Sequence, residues 1–290
     1  MKRILLAGAT GHLGRHFLSL LKLRGYQVTA LVRTCEKATS LSIAPDEIFY
    51  ADATRPKELR GCCLGIDVVV SALGKSISLS DRSKASFHDI DYQANYNLLQ
   101  KAKAAGVKQF VYISAFSAEE HPQLAYFRAH ADFSRELIQS GLNYTILQPT
   151  ALFSAFDELA AMARRGRLGV IGDGSKRTNP IHEADVAKMV VQSIGKSSAV
   201  IPLGGKQVYT RLEIARIVGA AAGYHGSVFH VPKVAVDLLL PMMKHIDTSL
   251  YHKAAFLAKV STQDCVAPQV GEQTLEGYFK LAQEKSTAQA

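Results

Sequence analysis

A doubly wound α/β architecture, a parallel sheet covered by helices with a smaller, mainly helical C-terminal lobe, is the fold class this sequence predicts. Three observations carry it. Short apolar runs alternate with amphipathic helical stretches through the first half. A glycine-rich turn joins the first run directly to the first helix. After Pro149 the alternation gives way to loops and then to helices.

Taken in order, "RILLA", "QVTALV", "EIFYA", "DVVVSAL", "QFVYIS" and "YTILQP" read as strands, because each is short, rich in β-branched or aromatic residues and apolar on both faces. Such strands alternating with helices imply a parallel sheet with helices on both sides. Residues 92–105 and 124–140 have helical periodicity, and glycines Gly106 and Gly141 close them. The stretch "RRGRLGVIGDGSKRTNP" reads as connecting loops with one short strand. "EADVAKMVVQSI" then reads as a helix and "AVIPLGG" as a strand that returns to the main sheet. The expected division is a core of residues 1–150, completed by 180–203, and a smaller substrate-binding lobe within 151–290. The closing "EKSTAQA" reads as a frayed tail.

With 290 residues, 48% hydrophobic and 20% charged, the chain has ordinary globular composition. The net charge of +9 is spread along the sequence with no run of five basic residues and no nucleic-acid docking motif, so no nucleic-acid partner is expected. Residues 1–9 resemble a signal peptide only superficially, since the apolar run is too short. No apolar segment approaches the roughly 18 residues of a membrane span, and a soluble, cytoplasmic protein is expected. Cys35, Cys62, Cys63 and Cys265 show neither zinc spacing nor a disulfide framework, and buried reduced thiols are the simpler reading of the adjacent pair.

In "RILLAGATGHLGRHFLSLL" a strand runs into a helix through Gly8, Gly11 and Gly14. The first glycine permits the tight turn, the second lets backbone approach a pyrophosphate, and the third allows close packing of helix on strand. The helix N-terminal amides then face the phosphate charge. Gly8, Thr10, Gly11, His12, Leu13 and Gly14 are therefore the candidate cofactor residues of the turn, which makes the core a Rossmann domain. An acidic residue after the second strand would select NAD(H) by bonding the 2'-hydroxyl. Here Arg33 occupies that end, and a guanidinium there pairs with a 2'-phosphate, so NADP(H) is favoured over NAD(H). Asp52 after the third strand reads either as a partner of the adenine amino group, with Ala53 lining the ring, or as the cap of a helix starting near Pro56. Ala72, Leu73 and Gly74, ending the fourth strand, are small enough to stand beside the phosphates and ribose.

Through "GATGHLGR", "DYQANYNLLQKAKAAGVKQFVYISAFS", "SGLNYTILQPTALF", "GDGSKRTNPIHEADVA" and "LGGKQVYTRLEIA" the chain resembles the atypical and extended short-chain dehydrogenase/reductases, in particular their NAD(P)-binding, NmrA-like branch. The resemblance reaches about residue 220. It implies a Ser-Tyr-Lys catalytic set, in which tyrosine moves the proton, lysine lowers its pKa and holds the nicotinamide ribose, and serine orients the carbonyl. The matching residues are Ser114 and Tyr126, but His130 stands where the lysine belongs. A free phenol has a pKa of about 10 and a fixed ammonium favours its phenolate, whereas a histidine of about 6.5 is mostly neutral at pH 7 and activates it less. His130 could still bond the ribose or relay a proton. Gln148 replaces the arginine that often precedes Pro149, and Ser134 a helix glutamate. Pro149 and Thr150 are placed to contact the nicotinamide amide, and Asn97 matches a family position where it either serves the site or satisfies buried backbone. His182, Glu183 and Asp185 look like a cluster but read as a helix start, with no metal expected.

The function expected from all this is hydride transfer from NADP(H) to a small-molecule substrate, a small carbonyl or activated alkene. The alternative is a non-enzymatic, dinucleotide-binding regulator or assembly factor that acts on a protein partner.

Overall fold

Alternation of strand and helix is what the computed structural model shows. It describes residues 1–287, with side chains through residue 284. The first half runs β1 (Arg3–Ala7), α1 (His12–Leu23), β2 (Gln27–Val32), α2 (Cys35–Thr39), β3 (Glu47–Tyr50), β4 (Val68–Ser71), α3 (Asn95–Ala104), β5 (Gln109–Ile113), α4 (Ala125–Gln139) and β6 (Asn143–Pro149). The second half runs α5 (Asp157–Arg164), β7 (Gly169–Ile171), β8 (Arg177–Thr178), α6 (Glu183–Ser193), β9 (Ala199–Leu203), β10 (Tyr209–Thr210), α7 (Arg211–Ala221), β11 (Phe229–Val231), α8 (Lys233–Ile246), α9 (Thr248–Ser261) and α10 (Leu275–Thr287).

Seven strands form one sheet in the order β3-β2-β1-β4-β5-β6-β9, and the first six pair in parallel. Ile4 stands opposite Val28 on one side and Val68 on the other. Because helices cover both faces, the central strands are largely apolar: β4 and β5 are buried at every residue. One core, including Leu5, Val69, Leu98, Phe110, Tyr112, Phe133 and Ile146, fills the space between this sheet and α3 and α4. The chain order reverses between β1 and β4, and the carboxyl ends of those two strands are where such sheets bind ligands.

By internal contacts the chain divides into two compact units. One is Met1–Ser76, Ser83–Gln148 and Val186–Ile201. The second comprises Ile77–Arg82, Pro149–Asp185 and the chain from Pro202 onward. Its own core includes Phe153, Ile214, Val218, Leu275 and Phe279, with Leu168 and Ala215 in a smaller cluster. A reciprocal capping box between Thr210 and Glu213 starts α7. The buried Lys253 of α9 donates to the carbonyls of Ser78 (2.9 Å) and Asp81 (2.7 Å), fixing the short segment 77–82 within this unit.

Four local expectations are corrected. The helix expected over 92–105 begins earlier: His88–Ala94 is π-helical and leads into α3. Its wider register leaves carbonyls short of partners, and the Asn95 side-chain amide takes those of Ile90 (3.3 Å) and Asp91 (2.9 Å). No helix starts near Pro56; residues 53–65 are a chain of turns, broken by Gly61 and Gly65 at φ of +83° and +69°. The glycine-rich stretch after Arg164 carries two short strands, β7 and β8, which pair with β11 and β10. The expected tail is helical as far as Thr287, and residues 288–290 lie outside the described residues. Among the described residues no helix is long and apolar enough to cross a membrane.

Candidate functional site

The turn between β1 and α1 sits at the reversal point of the sheet, and packing constrains two of its three glycines. Gly8 has φ +81°, and a β-carbon there would lie 2.6 Å from the Ala72 carbonyl oxygen at the end of β4. Gly14 is buried, and its β-carbon would fall 2.0 Å from the Gly8 carbonyl oxygen, so α1 packs on β1 only without a side chain. At Gly11 the sole neighbour within 4 Å is that same oxygen at 3.4 Å, an ordinary contact. Space over Gly11 is therefore open, and protein packing does not require a glycine there. Helix α1, which starts at His12, has no side-chain cap from Gly11 and no acidic residue in its first turn, which leaves its terminal amides without a carboxylate of that turn. Thr10 and Leu13 are half-buried beside it and His12 is exposed. An open glycine over an uncapped helix N-terminus fits a pyrophosphate.

At the end of the site where the sequence predicts the adenosine, Arg33 follows β2 and is exposed. Asp52 Oδ1 accepts from the Thr54 amide (2.9 Å) and hydroxyl (2.7 Å). Burial alone would raise this carboxyl, but Thr54 and the charges of Arg33 and Arg55 hold it below the ordinary aspartate value. Asp52 thus caps a tight turn, not a helix, and it lies within the field of Arg33. Ala53 is buried, and its carbonyl accepts from Asn97 Nδ2 (3.0 Å), so Asn97 does satisfy buried backbone and in doing so fixes the loop after β3. Arg15 was not singled out from the sequence. It reaches from the first turn of α1 to the Thr10 carbonyl (3.1 Å) and to the carbonyl of Ser40 at the end of α2 (2.7 Å), tying the glycine turn to the end of α2.

Ala72, Leu73 and Gly74 rest on a buried polar network that sequence reasoning also missed. The Ala72 amide donates to the Ala7 carbonyl (3.0 Å). Ser71 Oγ donates to Asn95 Oδ1 (2.5 Å), and Asn95 Nδ2 reaches the Leu73 carbonyl (3.3 Å). Asp91, almost fully buried, accepts from the Lys75 amide (3.1 Å), and its other oxygen lies 3.2 Å from where a β-carbon on Gly74 would stand. The signal was the repeated polar spacing in "DIDYQANYN", where Asp91 and Asn95 are one helical turn apart.

Of the candidate catalytic residues, Ser114 follows β5 and is buried, its hydroxyl 3.2 Å from that of Ser134. Tyr126 is the second residue of α4, its ring edge-on to His130 with centroids 4.6 Å apart and to Phe87 at 5.4 Å. Burial, and then the Asp91 carboxylate, push its phenol well above the ordinary tyrosine value. His130 is 4% exposed. Its Nδ1 lies 2.6 Å from the Tyr112 hydroxyl, and its Nε2 lies 3.2 Å from Asp91 Oδ1, off the line of a good hydrogen bond. Both ring nitrogens of His130 thus lie beside partners inside the core. The buried aromatic and carboxylate surround of Tyr126 favours its neutral phenol.

Gln148 donates to Glu119 (3.4 Å) at the end of β6. In the second unit Thr150 donates its hydroxyl to the Asn179 carbonyl (2.6 Å) and its amide to the Leu203 carbonyl (3.0 Å), directly after Pro149. The cluster around His182 is spent on backbone: Glu183 accepts from the Ser154 amide (3.0 Å), and Asp185 from the amides of Glu272 (2.9 Å) and Gln273 (3.1 Å). A shallow pocket of about 560 Å³ opens in this unit, lined by residues including Lys206, Tyr209, Arg216 and Glu276. None of the turn residues lines it, and its charges are of both signs.

The pattern of a family described as NAD(P)H-binding matches residues 8–197. Divinyl chlorophyllide a 8-vinyl-reductase of Arabidopsis thaliana is 28% identical over 268 residues, covering 84% of this chain, which spans 63% of that protein's length. The photosystem II assembly factor Ycf39 of Guillardia theta is 28% identical over 234 residues, covering 79% of this chain and 73% of its own. Among solved structures, the NADPH-dependent quinone oxidoreductase QOR2 of Escherichia coli, complexed with NADPH, superposes with a TM-score of 0.74 at 20% identity, covering 96% of this chain and 99% of its own. At that identity the likeness shows the fold.

Proposed function

Because the chain belongs to the NAD(P)H-binding family, we propose that it is an NADP(H)-dependent reductase acting on an activated alkene or a small, fairly apolar carbonyl compound. The observation that carries this reading is the turn itself, an open Gly11 over the uncapped N-terminus of α1 with the exposed Arg33 after β2. When bound, the dinucleotide supplies the hydride. The chain's part is to seat the pyrophosphate on the α1 amides, to pair Arg33 with a 2'-phosphate and to support the turn at Leu73–Lys75 through Asp91 and Asn95. Tyr126, held neutral, offers a proton from its hydroxyl. A phenol raised by burial and by a neighbouring carboxylate is a weak acid. It suits an acceptor whose negative charge is delocalised after hydride addition, such as an enone or quinone, better than a simple ketone.

Two findings favour a second reading, a dinucleotide-binding regulator or assembly factor. The lysine position is filled by a histidine directed into the core, and one relative at 28% identity is described as an assembly factor. Incubating the purified chain with NADPH and a panel of enones, quinones and small carbonyls separates them. Oxidation of NADPH with at least one enone or quinone is expected, with Tyr126→Phe slower by about 10²-fold if its hydroxyl donates the proton. Tight NADPH binding with no oxidation across the panel would leave the regulator.

A further inference from the structure

Helix α8, Lys233–Ile246, belongs wholly to the second unit and contains no buried residue. Val234, Leu238, Met242 and Ile246 recur at four-residue intervals, with Leu239 beside them. They are 78%, 71%, 61%, 85% and 56% exposed in that order. The half-buried Val236, Leu240 and Met243 lie on another side of the helix, which packs against α9, while the small Ala235 and the exposed His245 fall within the stripe. The result is two apolar faces on one helix. One is packed, and the other is presented outward with no charged side chain among its five large apolar residues. Lys233, Asp237 and Lys244 are exposed outside that stripe, and Lys233 pairs with Asp237. Single exposed apolar residues need no explanation, but a continuous stripe of this kind marks an interaction surface.

We propose that α8 is a membrane-interface helix, whose outward face enters the boundary between headgroups and acyl chains of an anionic lipid surface. The size of the face decides between occupants. A helix of 14 residues is about 21 Å long, and one face of it offers a few hundred Å². A stable contact with a second copy needs about 800 Å² from each partner with complementary shape. A bilayer needs no matching shape and receives a single convex ridge along its length. The charge agrees: the stripe carries no carboxylate, and the whole chain is +9. This attachment is peripheral, and it is independent of which reaction, if any, the dinucleotide site supports.

Flotation of the full chain with vesicles of phosphatidylcholine mixed with phosphatidylglycerol tests it, alongside vesicles of phosphatidylcholine alone. The parent is expected to float with the mixed vesicles and less with the neutral ones. The double variant Leu238→Glu, Met242→Glu should lose at least about tenfold in bound fraction, since two anchoring side chains become charged, while its melting temperature stays that of the parent. Ile246→Glu at the exposed end of the helix serves the same purpose if the double variant melts early. Equal flotation of parent and variants, or no flotation of the parent with either vesicle, overturns the proposal. So does a concentration-dependent dimer in light scattering that these substitutions abolish, which would make the face a subunit contact.

Discussion

At Gly14 a β-carbon would overlap the Gly8 carbonyl at 2.0 Å, whereas at Gly11 it would make only an ordinary contact at 3.4 Å. Of two glycines three residues apart, the fold thus requires Gly14, whereas Gly11 is left to the proposed ligand. Gly14→Ala should lower stability by about 1–3 kcal/mol or more, because the overlap is with backbone that shifts only by moving α1 away from β1. Gly11→Val should melt like the parent without cofactor. With NADPH at about 100 times its dissociation constant the parent gains ~2.7 kcal/mol, and Gly11→Val should gain almost none. Melting curves of the three proteins with and without NADPH check both statements, and a cofactor shift retained by Gly11→Val makes the turn purely structural. His130 shows why single residues are hard to read from a sequence. Its position was legible as that of the missing lysine, but its direction depended on Tyr112 and Asp91, which are distant in the chain and ordinary in composition.

Among elements, the parallel strands were the most legible, since a strand buried on both faces leaves a continuous apolar run. What the sequence hid was what joins and anchors them. The π-helical lead-in to α3 follows from the register of Asn95 with backbone carbonyls, which no periodicity records. The turns after Asp52 follow from a side chain that bonds the chain two residues on. Two further carboxylates staple strand starts: Asp46 Oδ2 accepts from the Val28 amide (2.7 Å) and Asp67 Oδ2 from the Arg3 amide (2.9 Å). Lys22, and then the Val28 amide, hold the Asp46 carboxyl below the ordinary value; for Asp67 the Arg3 amide is the main cause. A carboxyl lowered by folding stabilises fully above its unfolded value of about 3.9, and that contribution disappears as pH falls through the lowered one. Asp46→Asn should therefore melt below the parent at pH 7, with the difference shrinking as pH falls from about 5 toward 2. Thermal melts across that range check it, and a constant difference would assign the staple to shape and not to charge.

For the whole molecule, a charge of +9 acts on any anionic ligand before contact is made. Ten histidines are counted as neutral in that figure, so lowering the pH only increases it. A dinucleotide with a 2'-phosphate carries more negative charge than one without and should respond more steeply to salt. Raising ionic strength from about 0.01 M to 0.15 M shortens the screening length from ~30 Å to ~8 Å. Binding of NADPH should weaken over that range more than binding of NADH, because the general field acts on both and only NADPH also meets Arg33. Arg33→Ala changes the total charge by one unit but removes the specific pair. It should cost NADPH about 1.5–3 kcal/mol at low salt and bring its salt dependence close to that of NADH, which itself changes little. Titrating both cofactors into parent and variant at several salt concentrations separates the field from the pair. Equal salt slopes for the two cofactors in the parent would leave Arg33 as a surface cation and remove the basis for preferring NADP(H).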